Sequence, residues 1–259
     1  MPWDFVLILA FMAIVIPWRG AARVRRLLMQ PSVGGTERLM LYAGTAALQW
    51  IAALIVLWRA LARDYSPAEL GLAAPDLPKA IVLGSALSAL FVINQVFGAR
   101  RLASSPLDKD RLMTRVASRL MPRSSEEVVA FIALVATVAF CEEFLYRGFA
   151  QSVFQQATGG SVAAGIALSS IVFALGHIYQ GKRGLLTTFL IGLIFACTRV
   201  WTGGLVAAVV AHFATDLAAG LSAKRWLPAD GQFPPVLASS VPEPAPDPVP
   251  NPAPSDDEN

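Results

Sequence analysis

Two uninterrupted runs of twenty uncharged residues, 39–58 between Arg38 and Arg59 and 80–99 between Lys79 and Arg100, limit what this chain can become. Twenty residues of helix rise about 30 Å, the thickness of a bilayer's hydrocarbon core. At that depth there is no water to satisfy a peptide group, so a single segment crosses as a helix. The whole chain shares this character. It is 55% hydrophobic and 15% charged, with a mean hydropathy of +0.56, where soluble domains carry about 25% charged residues. The expected class is an all-α, polytopic transmembrane helix bundle.

Five more apolar stretches complete the pattern. Residues 5–18 follow Asp4 and precede Arg19, Arg23, Arg25 and Arg26. A signal peptide has its positive charge before the apolar stretch, so this order predicts an uncleaved first span with its N-terminus outside. The fourth span starts at Ser124, where Ser124 and Glu127 have the spacing of a capping box, and runs to about Gln151. Residues 162–179, 184–200 and 204–221 give the fifth, sixth and seventh spans, with room for an eighth, interfacial helix. With this topology the basic clusters at 19–38, 100–123, Lys182-Arg183 and Lys224-Arg225 all fall on the cytoplasmic side, as the positive-inside rule requires.

The connections have a character of their own. Residues 66–72 with Pro75 and Pro78 form a short loop. In the basic connection Leu112, Val116 and Leu120 recur every four residues while Arg111, Arg115 and Arg119 repeat on another face. That is the pattern of an amphipathic helix on an anionic lipid surface, or of a solvated basic linker; neither reading calls for nucleic acid. From Pro228 the chain becomes proline-rich and ends in Asp256, Asp257 and Glu258, too poor in apolar side chains to fold, and reads as an extended acidic cytoplasmic tail. The chain thus divides into 1–123 (three spans and the basic connection), 124–227 (a core) and the tail 228–259.

Charge inside the core is the anomaly. Glu142, Glu143 and Arg147 interrupt a fourth span that is uncharged over 128–141, and 148–181 is uncharged again. A charged side chain at bilayer depth costs about 3 kcal/mol on insertion scales, which makes the trio a candidate functional centre. Glu143 and Arg147, four apart, share a helix face and can pair. Glu142 points about 100° away, toward a neighbouring helix. The chain has two histidines, His177 and His212, both within expected spans, and Asp216 lies four residues after His212. Cys141 reads as a small buried hydrophobe. One carboxylate and two imidazoles drawn from three helices suit hydrolysis of an amide, with a base for water, a proton donor for the amine and a partner for the oxyanion. Glu142, His177 and His212 equally form a plausible catalytic zinc set. The spacing leaves both open.

Glu142-Glu143-x-x-x-Arg147, Phe173-x-x-x-His177 and His212-x-x-x-Asp216, in that order on successive spans, resemble the CPBP (CAAX protease and bacteriocin-processing, or Abi) intramembrane peptidases, which include the Rce1-type CAAX proteases. The loop 68–72 is also similar to an upstream feature of that family. The resemblance implies an endopeptidase acting on a membrane-associated, lipidated or prenylated protein or peptide. Glu142 and His177 would activate water, and His212 with Asp216 would stabilise the oxyanion. Glu143, Arg147 and Phe173 would hold the site or the peptide. Many relatives have Asn where this chain has Asp216, so a simple amide-donor role does not carry over. Such enzymes are described as metalloproteases, but a glutamate-dependent mechanism without metal is the reading preferred here, with zinc the alternative cofactor. A non-catalytic, immunity-type or scaffolding relative that binds a peptide partner is the other functional reading, and a small proton-relay transporter is disfavoured by the absence of repeated halves. Glu142 lies roughly 22 Å along the helix from Glu127, whereas His177 is five residues from Lys182. For the two to meet, the fourth helix must begin well out in the cytoplasm, beside a water-filled cavity.

Overall fold

A computed structural model of the chain describes residues 1–73, 75–104 and 112–226. Eight helices account for most of them: α1 (Trp3–Met29), α2 (Gly35–Leu61), α3 (Leu77–Ser104), α4 (Leu112–Leu120), α5 (Ser125–Ala157), α6 (Val162–Gly176), α7 (Gly181–Thr202) and α8 (Val206–Trp226). No strand occurs among the described residues. Five helices are long and apolar enough to cross a membrane, namely α1, α2, α3, α5 and the stretch Ile178–Thr202, while Val162–Gly176 and Val206–Leu221 are shorter apolar helices. Each of the seven expected spans is therefore a helix, and the bundle is that of a multi-pass membrane protein. The proline-rich tail 228–259, together with Lys109 and Arg111, lies outside the described residues.

Three boundaries differ from the sequence reading. The first span continues to Met29, carrying Arg19, Arg23, Arg25 and Arg26 on the same helix, with a π-helical turn at Phe11–Val15. The fifth ends at Gly176, so His177 is the capping residue rather than part of the helix. The fourth runs 33 residues, about 50 Å, and widens to a π-helix over Glu143–Ala150.

Polar contacts fix the helices at both ends. At one end, Arg59 donates to Asp4 Oδ2 at 2.6 and 3.0 Å, and Arg63 adds bonds at 3.1 and 3.3 Å. At the other, Ser124 caps α5 by accepting the Glu127 N–H at 3.2 Å. Buried Arg38 donates to Glu127 Oε2 at 2.8 Å and to the Arg119 carbonyl at 2.6 Å. Arg119 donates to the Leu27 carbonyl, and Val116 packs on Leu27, Leu28 and Val33. This corrects one member of the expected basic face of α4, Arg119. The amphipathic helix forms, but Arg119 is 2% exposed, because its guanidinium closes the end of α1 instead of facing lipid headgroups.

Between α2 and α3 the turn at residues 66–72 docks into the bundle. Ser66 donates through its N–H (2.8 Å) and hydroxyl (2.7 Å) to Glu69 Oε2, which holds the Glu69 carboxyl below its usual range. Leu70 is fully buried. The Ser152 hydroxyl of α5 donates to the Glu69 carbonyl at 2.6 Å, and the Leu205 N–H donates to the Gly71 carbonyl at 3.0 Å. The approach to α5 is close enough to require Gly148, since a Cβ there would stand 2.7 Å from the Leu70 carbonyl oxygen. Gly148→Ala is expected to lower stability by about 1–3 kcal/mol through overpacking. Gly44→Ala on α2, where a Cβ meets nothing within 4 Å, should be neutral or mildly stabilising. Thermal unfolding of both variants in the same detergent checks the contrast.

The main core joins Phe5, Leu9 and Met12 of α1 to Leu145, Phe149 and Val153 of α5. Phe5 meets Phe149 edge-on at 5.0 Å. On the far side α3 lies along α8, and a Cβ on Gly84 would come within 2.9 Å of the Ala207 carbonyl. Small residues allow this backbone approach, as is usual where packing drives helix association in lipid.

Candidate active site

The π-helical stretch of α5 carries the charged side chains. In a π-helix each backbone N–H bonds five residues back, and such turns are frequent at functional sites. Glu143 and Arg147 are both fully buried, and Arg147 Nη1 donates to Glu143 Oε1 at 2.9 Å. The guanidinium lies over Phe173 of α6, 4.0 Å from its ring centroid, and 5.3 Å from that of Phe195 of α7. Flat aromatic faces attract such a cation. α6, α7 and α5 therefore meet around one buried charge.

His212 comes in from α8. Its Nδ1 stands 2.8 Å from Glu143 Oε1, and its Nε2 3.4 Å from Asp216 Oδ2. Carboxylates only accept, so a ring protonated at both nitrogens satisfies both contacts and a neutral ring satisfies one. Asp216 is 40% exposed on its side chain while Glu143 is closed off entirely. The imidazole thus bridges an open carboxylate and a sealed one. Its ring also stacks on Phe195 at 5.8 Å.

His177 sits where α6 ends. Its Nδ1–H donates to the Phe173 carbonyl at 2.9 Å, one of the carbonyls that a helix end leaves without an intrahelical partner. That bond leaves Nε2 as the basic nitrogen. Phe173 lies 4.8 Å from the His177 ring, 6.4 Å from His212 and 5.0 Å from Tyr146. Glu142 departs from the sequence picture. Its Oε1 accepts from Gln49 Nε2 of α2 at 2.9 Å, and its Oε2 is buried with no hydrogen-bond partner. Glu143, not Glu142, is the carboxylate on His212. Glu142 is also within electrostatic reach of Tyr146 and Tyr179, and Asp216 of Tyr179.

Residues 124–218 match the family model described as type II CAAX prenyl endopeptidase Rce1-like. This segment is an Rce1-like domain. An Escherichia coli protein described as an uncharacterized 24.3 kDa protein is 28% identical over 108 residues, which is 41% of this chain and 48% of that protein. The chain therefore spans about half the length of the curated relative it matches. No solved structure matches it.

Within the Rce1-like segment, the structure gathers Glu143, Arg147, Phe173, His212 and Asp216 into one contact network. His177 joins through Phe173, and Glu142 faces α2. Among the described residues no group of three His, Cys, Asp or Glu side chains could hold a metal ion. No step below runs through a metal. Gln49, Tyr146, Tyr179 and Phe195 are the neighbours that sequence reading missed. Gln49 carried a faint signal as an amide inside the uncharged run 39–58. The aromatic residues carried none, because aromatics are common throughout such a chain.

Proposed function

We propose that the protein is a CAAX-type intramembrane endopeptidase, in which the Glu142 carboxylate, with His177, activates the water that attacks the scissile carbonyl. The proton taken from water passes to the leaving amine as the C–N bond breaks. His212 with Asp216 faces the developing oxyanion, and Glu143 holds the His212 ring through Nδ1 while Arg147 neutralises Glu143. The hydrogen bond that His212 Nδ1 donates to Glu143 Oε1 carries this reading most, since it ties α5 to α8 at the motif residues themselves. Support for water activation comes from the unpartnered Glu142 Oε2 and from the free Nε2 of His177. In this reading α5 begins in the cytoplasm, with the water-filled approach on the side of the open Asp216, and the termini lie as the loop charges suggest. The substrate is a peptide or protein at the membrane surface, with a prenylated cysteine as the first candidate, and the mechanism is glutamate-dependent.

The test is cleavage, by membranes containing the full chain, of a fluorogenic peptide ending in a farnesylated Cys-aliphatic-aliphatic-X sequence, beside its unprenylated twin. Release of the last three residues, identified by mass and absent with Glu142→Gln, is the expected result. Equal product from wild type and Glu142→Gln would overturn the assignment of Glu142.

A further inference from the structure

Polar side chains in the uncharged run of α2 behave in two ways. Thr45 turns its hydroxyl back to the Leu41 carbonyl of its own helix at 2.7 Å, the usual way to hide such a group in an apolar span. Gln49 does not. Its neighbours Leu48, Trp50 and Ile51 are 55%, 43% and 53% exposed, yet its amide crosses to α5 and donates to Glu142 Oε1 at 2.9 Å. An amide kept at that depth is costly unless bonded. Here its partner is Glu142, the one of the three site carboxylates Glu142, Glu143 and Asp216 for which no contact with Arg147 or His212 is seen.

Contacts around it make the bond specific. α2 and α5 run parallel, paired by Arg38 with Glu127 and Tyr42 with Phe131. Trp50 stacks on Phe140 at 5.6 Å and donates to the Thr137 hydroxyl at 3.3 Å. These contacts fix Gln49 opposite Glu142. With Oε1 occupied, rotation of the carboxylate plane is restrained, and Oε2, buried and unpartnered, is the oxygen left to address water.

We infer that Gln49, which lies outside the matched segment 124–218, is a positioning residue that orients the Glu142 carboxylate so that Oε2 acts as the base. The inference rests on the endopeptidase reading and names how α2, outside the matched segment, completes the core. A charge-assisted hydrogen bond of this kind, when lost, lowers a rate by about tenfold to a hundredfold. Gln49→Leu and the isosteric Gln49→Glu should therefore each lower kcat on the farnesylated peptide by that factor, with KM changed less than about twofold. On a Glu142→Gln background neither should lower residual activity further. A residue needed only for packing would instead lower thermal stability and active fraction, leaving kcat per folded molecule intact. A readout without substrate is difference infrared spectroscopy, in which the carboxylate band missing from Glu142→Gln should shift in Gln49→Leu. If Glu142→Gln stops cleavage while both Gln49 variants keep wild-type kcat and band position, this inference fails and the endopeptidase reading stands. If Glu142→Gln cleaves normally, the reading beneath it fails.

Discussion

Arg147→Ala is expected to cost about 3–5 kcal/mol of stability, the range for stranding one member of a buried ion pair. Glu143 is completely buried and its Oε1 has two partners, Arg147 and His212. Without Arg147, a sealed carboxylate must be neutralised by His212 alone or take up a proton. The two rings that flank the guanidinium, Phe173 and Phe195, would face a void as well. Glu143→Ala should be nearly as damaging, since it leaves the guanidinium between aromatic faces with no counter-charge. The double variant Glu143→Ala/Arg147→Ala should lose clearly less than the sum of the two singles, because each single change pays for the charge it strands. Thermal unfolding of the four proteins in one detergent measures the cycle. Additive losses, or a loss below about 1 kcal/mol for either single variant, would mean that the pair is not the central tie between α5 and its neighbours.

Glu142→Gln is expected to lower kcat by about 10²–10⁴-fold, the usual contribution of a general base, while shifting the unfolding free energy by less than about 1 kcal/mol. The two effects separate because of what each carboxylate touches. Glu142 is partly exposed and bonded to a neutral amide, so an amide in its place strands no charge. Glu143→Gln, by contrast, removes the counter-charge of Arg147 and should lower Tm much more. Single-turnover cleavage on the fluorogenic peptide, with Tm measured on the same preparations, tests both halves. Wild-type kcat in Glu142→Gln, or a fall in Tm as large as that of Glu143→Gln, would contradict the division of labour between the adjacent acids.

Much of the architecture was legible because bilayer spans announce themselves through missing charge. Arg38 and Arg59 bracket one run and Lys79 and Arg100 another, and both runs are helices. The pairing of Glu143 with Arg147 and of His212 with Asp216 followed from four-residue spacing. Less legible was what depends on how helices rotate against one another. The reach of Glu143 to His212 crosses 69 residues and that of Gln49 to Glu142 crosses 93, distances over which periodicity says nothing. The sequence places His177 inside a span, whereas α6 stops one residue before it. The run 162–179 has no charge or proline to mark that end. By spacing, Arg119 belongs with Arg115 on the basic face. A guanidinium that satisfies a helix-end carbonyl looks the same in sequence.

The widened helical segment Glu143–Ala150 has one more consequence. A π-helix packs more residues into each turn than a regular α-helix does, and nothing in Phe144, Leu145 or Phe149 demands that surplus. Removing a single amino acid there would yield a tighter, better-bonded rod. A deletion between Glu143 and Arg147 would also shift the Glu142 face relative to the Arg147 face, so that Glu142 on Gln49 and Arg147 on its rings could not both be kept. The local defect is thus a tolerance specification: insertions and deletions permitted elsewhere in the loops should be barred from these eight positions.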